Sequence, residues 1–124
     1  MIGLLVYRED DTYLGIVTQA IQKALEGKAE LEIFHARDDQ LVQNEQIESL
    51  LKGKKVDALA LNIVNPMTAE SLVDSIQKAG IPVVFFNREP DLDRIRKYSR
   101  ACFIGTTISE AGTMQGDLVK ELWD

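Results

Sequence analysis

Apolar residues come along this chain in short runs that alternate with longer amphipathic stretches. Ile2 to Tyr7, Leu31 to Phe34, Val56 to Leu61, Pro82 to Phe86 and Cys102 to Gly105 read as strands. Val83 to Phe86 is apolar without alternation, as in a parallel strand covered on both faces. Pro82 can open that strand, and Pro90 stops pairing beyond it. Between the strands the spacing turns helical. Leu14, Val17, Ile21 and Leu25 share one face, with Asp11 or Thr12 as N-cap and Gly27 as the stop. Leu41, Ile47, Leu50 and Leu51 form the apolar side of a helix from about Gln40 to Leu51, ended by Gly53. Leu72, Val73 and Ile76 do the same for a helix over Thr68 to Ala79, with Gly80 as C-cap. Asp91 to Arg100 reads as a charged connector or short helical turn. Thr107 to Trp123 reads as a last helix, weakened by Gly112 and Gly116.

This alternation predicts an α/β fold: a Rossmann-like parallel sheet with right-handed crossovers, sandwiched by helices. Ligands of open α/β sheets sit beyond the carboxyl ends of the strands. Those ends hold Asp10 and Asp11, Asp38 and Asp39, Asn62 and Asn65, and Asn87 and Arg88. The expectation is a rim rich in carboxylates and amides. Such groups accept from and donate to paired hydroxyls, and an aromatic ring covers a sugar's C–H face. Asp11, Tyr13 and Asn87 supply these three elements.

Composition narrows the choice. The formal net charge is −6, which disfavours nucleic-acid and anionic-membrane partners but not neutral ligands. No apolar run approaches the roughly 18 residues of a membrane span. Met1 runs directly into a strand, without the basic segment, apolar core and cleavage site of a signal peptide. Cys102 is the single cysteine and lies in an apolar run, so a buried, inert thiol is expected. His35 is the single histidine, which excludes a zinc site built on several histidines within the chain.

Catalytic and nucleotide motifs are missing. There is no Gly-x-Gly-x-x-Gly after the first strand, no Gly-x-x-x-x-Gly-Lys-Ser/Thr and no Gly-x-Ser-x-Gly elbow. A phospho-acceptor receiver would place an Asp after the third strand, where this chain has Asn62. No nucleophile–base pair is visible, so an enzyme is not expected.

Several stretches together resemble the periplasmic galactose/glucose-binding proteins. They are Tyr7-Arg8-Glu9-Asp10-Asp11-Thr12-Tyr13, Gln43-Asn44-Glu45-Gln46-Ile47, Ala60-Leu61-Asn62-Ile63-Val64-Asn65-Pro66, Phe85-Phe86-Asn87-Arg88-Glu89-Pro90, Phe103-Ile104-Gly105-Thr106 and Gln115-Gly116-Asp117. The fourth is specific to that branch; related sugar binders and lactose-repressor-type regulators tend to have Asp-Arg at its polar end. The resemblance implies a type I periplasmic-binding-protein fold of two lobes closing on a sugar. It makes residues 1–105 the first lobe, lacking its late return segment. Residues 106–124 become the hinge crossing and the first helix of the second lobe.

On the same footing, Asp11 matches the family's hydroxyl-binding Asp and Asn87 its sugar-binding Asn. Tyr13 stands where the family has a stacking Phe. Trp123 matches no family ligand residue, and no metal ligand carries over: the calcium site implied for the full-length family member lies outside this chain. The implied function is the solute-binding component of a sugar ABC transporter, with a glucose or galactose ligand. Implied partners are a membrane permease and a chemoreceptor, in a periplasmic or extracytoplasmic location. The alternatives are the effector core of a transcription regulator and the sensor ectodomain of a histidine kinase or chemoreceptor. A lobe without its last strands also exposes a sheet edge. A homodimer or swapped assembly through the Thr107–Trp123 helix is therefore expected.

Overall fold

The computed structural model describes residues 1–53, 55–105 and 120. Five strands, β1 (Ile2–Val6), β2 (Leu31–His35), β3 (Ala58–Leu61), β4 (Val83–Phe86) and β5 (Ala101–Ile104), form one parallel sheet in the order β2-β1-β3-β4-β5. Four helices connect them: α1 (Thr12–Leu25), α2 (Gln40–Lys52), α3 (Ala69–Ala79) and α4 (Leu92–Arg96), with a 3-10 turn at Pro66–Thr68 leading into α3. The alternation of apolar runs and amphipathic stretches thus gave the correct element order, and α4 is the short helical turn expected between Asp91 and Arg100.

Two apolar clusters hold the layers together. On one face of the sheet Leu5, Leu59, Leu61, Val83 and Phe85 meet Ile47 and Leu50 of α2, Val73 and Ile76 of α3 and Ile95 of α4. On the other, Leu4, Val6, Tyr7 and Phe86 meet Leu14 of α1, with Val17, Ile21 and Ala60 packed against them. Gly3 sits in a tight place between these layers. A Cβ there would lie 3.1 Å from Leu59 Cδ2 and 3.3 Å from both Leu50 Cδ1 and Val56 Cγ1.

Two expectations change. Leu41 does not face the core: it is 72 % exposed, and Gln43, Ile47 and Leu50 form the inward stripe of α2 instead. The polar Gln43 takes an inward position because buried backbone groups need its amide. Cys102 is exposed rather than buried. It lies on β5, which pairs only with β4 among the described residues, and its side chain falls on the outward phase of the strand's alternation. The expected face of α1 holds: Leu14 is buried and Val17, Ile21 and Leu25 are partly so. The expected helix over Thr107–Trp123, the domain boundary at 105/106 and the assembly built on them lie outside the described residues.

Candidate functional site

Because every strand runs the same way, the loops after β1, β2, β3 and β4 all open at the carboxyl edge of the sheet. The first brings Asp11 to the start of α1. Its Oδ1 accepts from the Leu14 amide at 2.9 Å, the bond of an N-cap, which satisfies one of the helix's unpaired donors. Its Oδ2 accepts from the Tyr7 hydroxyl at 2.5 Å. Each carboxylate oxygen keeps further acceptor capacity beyond these bonds. The Tyr7 hydroxyl first, then the Leu14 amide, hold the Asp11 carboxyl below the ordinary carboxylate range. The same bond raises the Tyr7 phenol above the ordinary tyrosine range, and burial pushes it the same way.

Tyr13 stands on the first turn of α1, 61 % exposed. Asn87 follows β4 with φ +70, and the Arg88 amide donates to the Phe86 carbonyl at 2.9 Å. That i to i+2 bond closes a γ-turn with Asn87 at its centre, a strained conformation for a residue with a side chain. Tyr13, Val17, Phe86, Asn87, Ile104 and Gly105 line one cleft of about 320 Å³. The structure therefore brings Tyr13 and Asn87 together. Asp11 is not part of that lining; it sits two residues before Tyr13, at the cap of the same helix.

Several other rim residues bond within the protein itself. Asn62 is fully buried. Its Oδ1 accepts from the Tyr7 amide at 3.1 Å, and its Nδ2 donates to the Phe86 carbonyl at 3.4 Å. It ties the end of β1 to the end of β4 and does not reach the rim. Asn65 caps the 3-10 turn through the Met67 amide, Asp39 caps α2 through the Leu41 amide, and Asp10 pairs with Arg8 at 3.2 Å. Two residues outside the expected ligand set of Asp11, Tyr13 and Asn87 join the site: Arg88, already expected on the rim, and Tyr7. The Arg88 guanidinium lies 4.0 Å from the centre of the Tyr7 ring and donates to the Val64 carbonyl at 2.5 Å. For Tyr7, the four-residue spacing to Asp11 was the available signal, but it acquires meaning only once the loop between them turns back.

An arrangement of one carboxylate, one amide and one exposed ring suits a neutral ligand with several hydroxyls. Carboxylates accept strong charge-assisted bonds, amides both donate and accept, and the ring offers an apolar face. Among the described residues no group of three or more His, Cys, Asp or Glu could hold a metal ion. No described helix is long and apolar enough to cross a membrane.

The profile of the periplasmic binding protein domain matches residues 2–124. The chain belongs to that family. It is 36 % identical over 124 residues to the D-galactose/methyl-galactoside binding periplasmic protein MglB of Haemophilus influenzae, covering 98 % of this chain and 37 % of that protein. A solute-binding protein of an ABC transporter from Bacillus halodurans, solved with bound myo-inositol, superposes with a TM-score of 0.73 at 26 % identity, covering 86 % of this chain and 36 % of the other. A second, from Agrobacterium vitis with bound D-fucose, gives 0.70 at 25 % identity, covering 85 % and 37 %. The fold is that of one type I periplasmic-binding-protein lobe. The chain spans little more than a third of the length of these relatives.

Proposed function

We propose that this chain supplies one wall of a binding site for a neutral hexose, glucose or galactose, in the solute-binding component of a sugar ABC transporter. Asp11 accepts from sugar hydroxyls, Asn87 donates to and accepts from them, and the Tyr13 ring covers a C–H face of the sugar. The observation that carries this reading is the cleft shared by Tyr13 and Asn87, at the helix end whose cap is Asp11. The galactoside named for the Haemophilus relative and the sugar and polyol bound by the solved relatives support the ligand class.

In this reading a second lobe closes over the sugar and completes the site. The closed form is read by a membrane permease, and by a chemoreceptor where one is present. The protein works outside the cytoplasmic membrane and catalyses no reaction. Calorimetric titration of the full-length protein with glucose and with galactose tests the proposal. Saturable binding that Asp11→Asn and Asn87→Ala each weaken at least tenfold is expected. Binding of neither hexose would overturn it.

A further inference from the structure

We infer that Tyr7 is a positioning residue for the ligand site: its hydroxyl fixes the Asp11 carboxylate, and its ring seats the Arg88 guanidinium that braces the turn presenting Asn87. This rests on the hexose-binding reading above and goes beyond it, because Tyr7 lines neither the cleft nor any ligand contact proposed there.

Tyr7 is only 7 % exposed and packs in the apolar cluster with Leu4, Val6, Leu14 and Phe86. A buried phenol needs a partner for its hydroxyl, and here the partner is Asp11 Oδ2. With Oδ1 held by the Leu14 amide, both oxygens are tied. The plane of the carboxylate is thereby set before any ligand arrives, which lowers the ordering cost of binding.

The other side of Tyr7 acts on Asn87. Arg88 is held at both ends: its amide closes the γ-turn on the Phe86 carbonyl, and its guanidinium bonds the Val64 carbonyl over the Tyr7 ring. A strained residue persists only where its surroundings over-determine it. The guanidinium held on the ring is such a constraint on the residue next to Asn87. Tyr7 thus touches Asp11 directly and, through Arg88, the residue that follows Asn87.

Among the described residues, three charged groups act on Tyr7. Asp11 faces Tyr7 from α1, Arg8 lies 5.3 Å from the Tyr7 ring centre in the loop after β1, and Arg88 faces it from the loop after β4. Arg8 also acts on Asp11 and is itself paired with Asp10.

The test uses the full-length protein. Tyr7→Phe removes the hydroxyl and keeps the ring. Hexose affinity at neutral pH should fall roughly tenfold or more, the scale of one lost bond to a charged group. The acid limb of the binding profile should move to higher pH, and so should the Asp11 carboxyl titration followed by carbon NMR without sugar. Arg88→Met should weaken binding while leaving the Asp11 titration in place. A purely structural role for Tyr7 would lower stability without moving either pH profile. If the hexose titrates normally but Tyr7→Phe shifts neither profile, the inference fails and the hexose reading stands. If no hexose binds, the hexose reading fails, and the sugar-free Asp11 titration still decides the inference: unmoved by Tyr7→Phe, it overturns it. Should Tyr7→Phe not fold, the Tyr7 phenol is titrated in Asp11→Asn. A titration brought down relative to native supports the inference, and an unchanged one overturns it.

Discussion

Gln43 and Asn62, both fully buried, are joined by a bond from the Gln43 side-chain amide to the Asn62 main-chain carbonyl at 3.0 Å. Gln43 Oε1 also accepts from the Val64 amide at 3.1 Å, so one side chain serves both a donor and an acceptor of the segment leaving β3. Gln43→Leu keeps the volume and removes both partners. Each buried group left unpaired costs about 1–3 kcal/mol. Urea denaturation should show a loss of at least that size, with an unchanged slope.

Asp11 makes stability depend on pH. Its carboxyl is held below the ordinary range in the folded chain, chiefly by the Tyr7 hydroxyl. The unfolded chain therefore takes up a proton first as pH falls. The contribution is complete above the ordinary aspartate range, near pH 4, and is lost as pH drops through the lower folded value. Native and Asp11→Asn proteins should differ in thermal midpoint at neutral pH and converge in strong acid. A constant difference across that range would contradict this assignment.

Asn87 separates strain from binding. With φ +70 it sits where glycine is at ease and alanine is not. Asn87→Gly should leave stability unchanged or slightly raised, whereas Asn87→Ala should lose about 1 kcal/mol. Both should weaken hexose binding, since both delete the amide. Chemical denaturation set beside calorimetry reads the two effects independently.

Gly3 lies where β1 passes beneath α2. Gly3→Ala forces the side chains of Leu59, Leu50 and Val56 to give way. Overpacking of this kind costs about 1–3 kcal/mol. The change should appear in denaturation midpoints with little effect on hexose affinity, because Gly3 is at the opposite end of β1 from Tyr7.

Cys102 should react with a thiol reagent in the folded chain at close to the rate seen after unfolding, because its side chain is exposed on β5. Slow labelling under native conditions would show that other parts of the protein cover this face.

The order of elements was written in local signals. Apolar runs such as Val83 to Phe86 marked strands, and Asp11, Gly53 and Gly80 marked helix ends; each needs only a residue and its near neighbours. The rim at the carboxyl edge also followed from the sequence, because strands joined by helical crossovers run parallel and bring their ends together. What the sequence could not decide was which polar residues on that edge point outward. Asn62 and Asn87 look alike along the chain. Yet Asn62 turns inward to satisfy the Tyr7 amide, while Asn87 is driven outward by a turn that the Arg88 amide closes. Leu41 likewise turns outward while Gln43 lies inward, where its amide serves the Asn62 carbonyl and the Val64 amide of the segment after β3. Burial of a polar group depends on partners brought from distant segments, 55 residues away for Tyr7 and Asn62. Local patterning therefore pointed to the carboxyl edge of the sheet, and only the tertiary structure decided which polar side chains there face outward, which turn inward and which groups hold the Asp11 carboxylate.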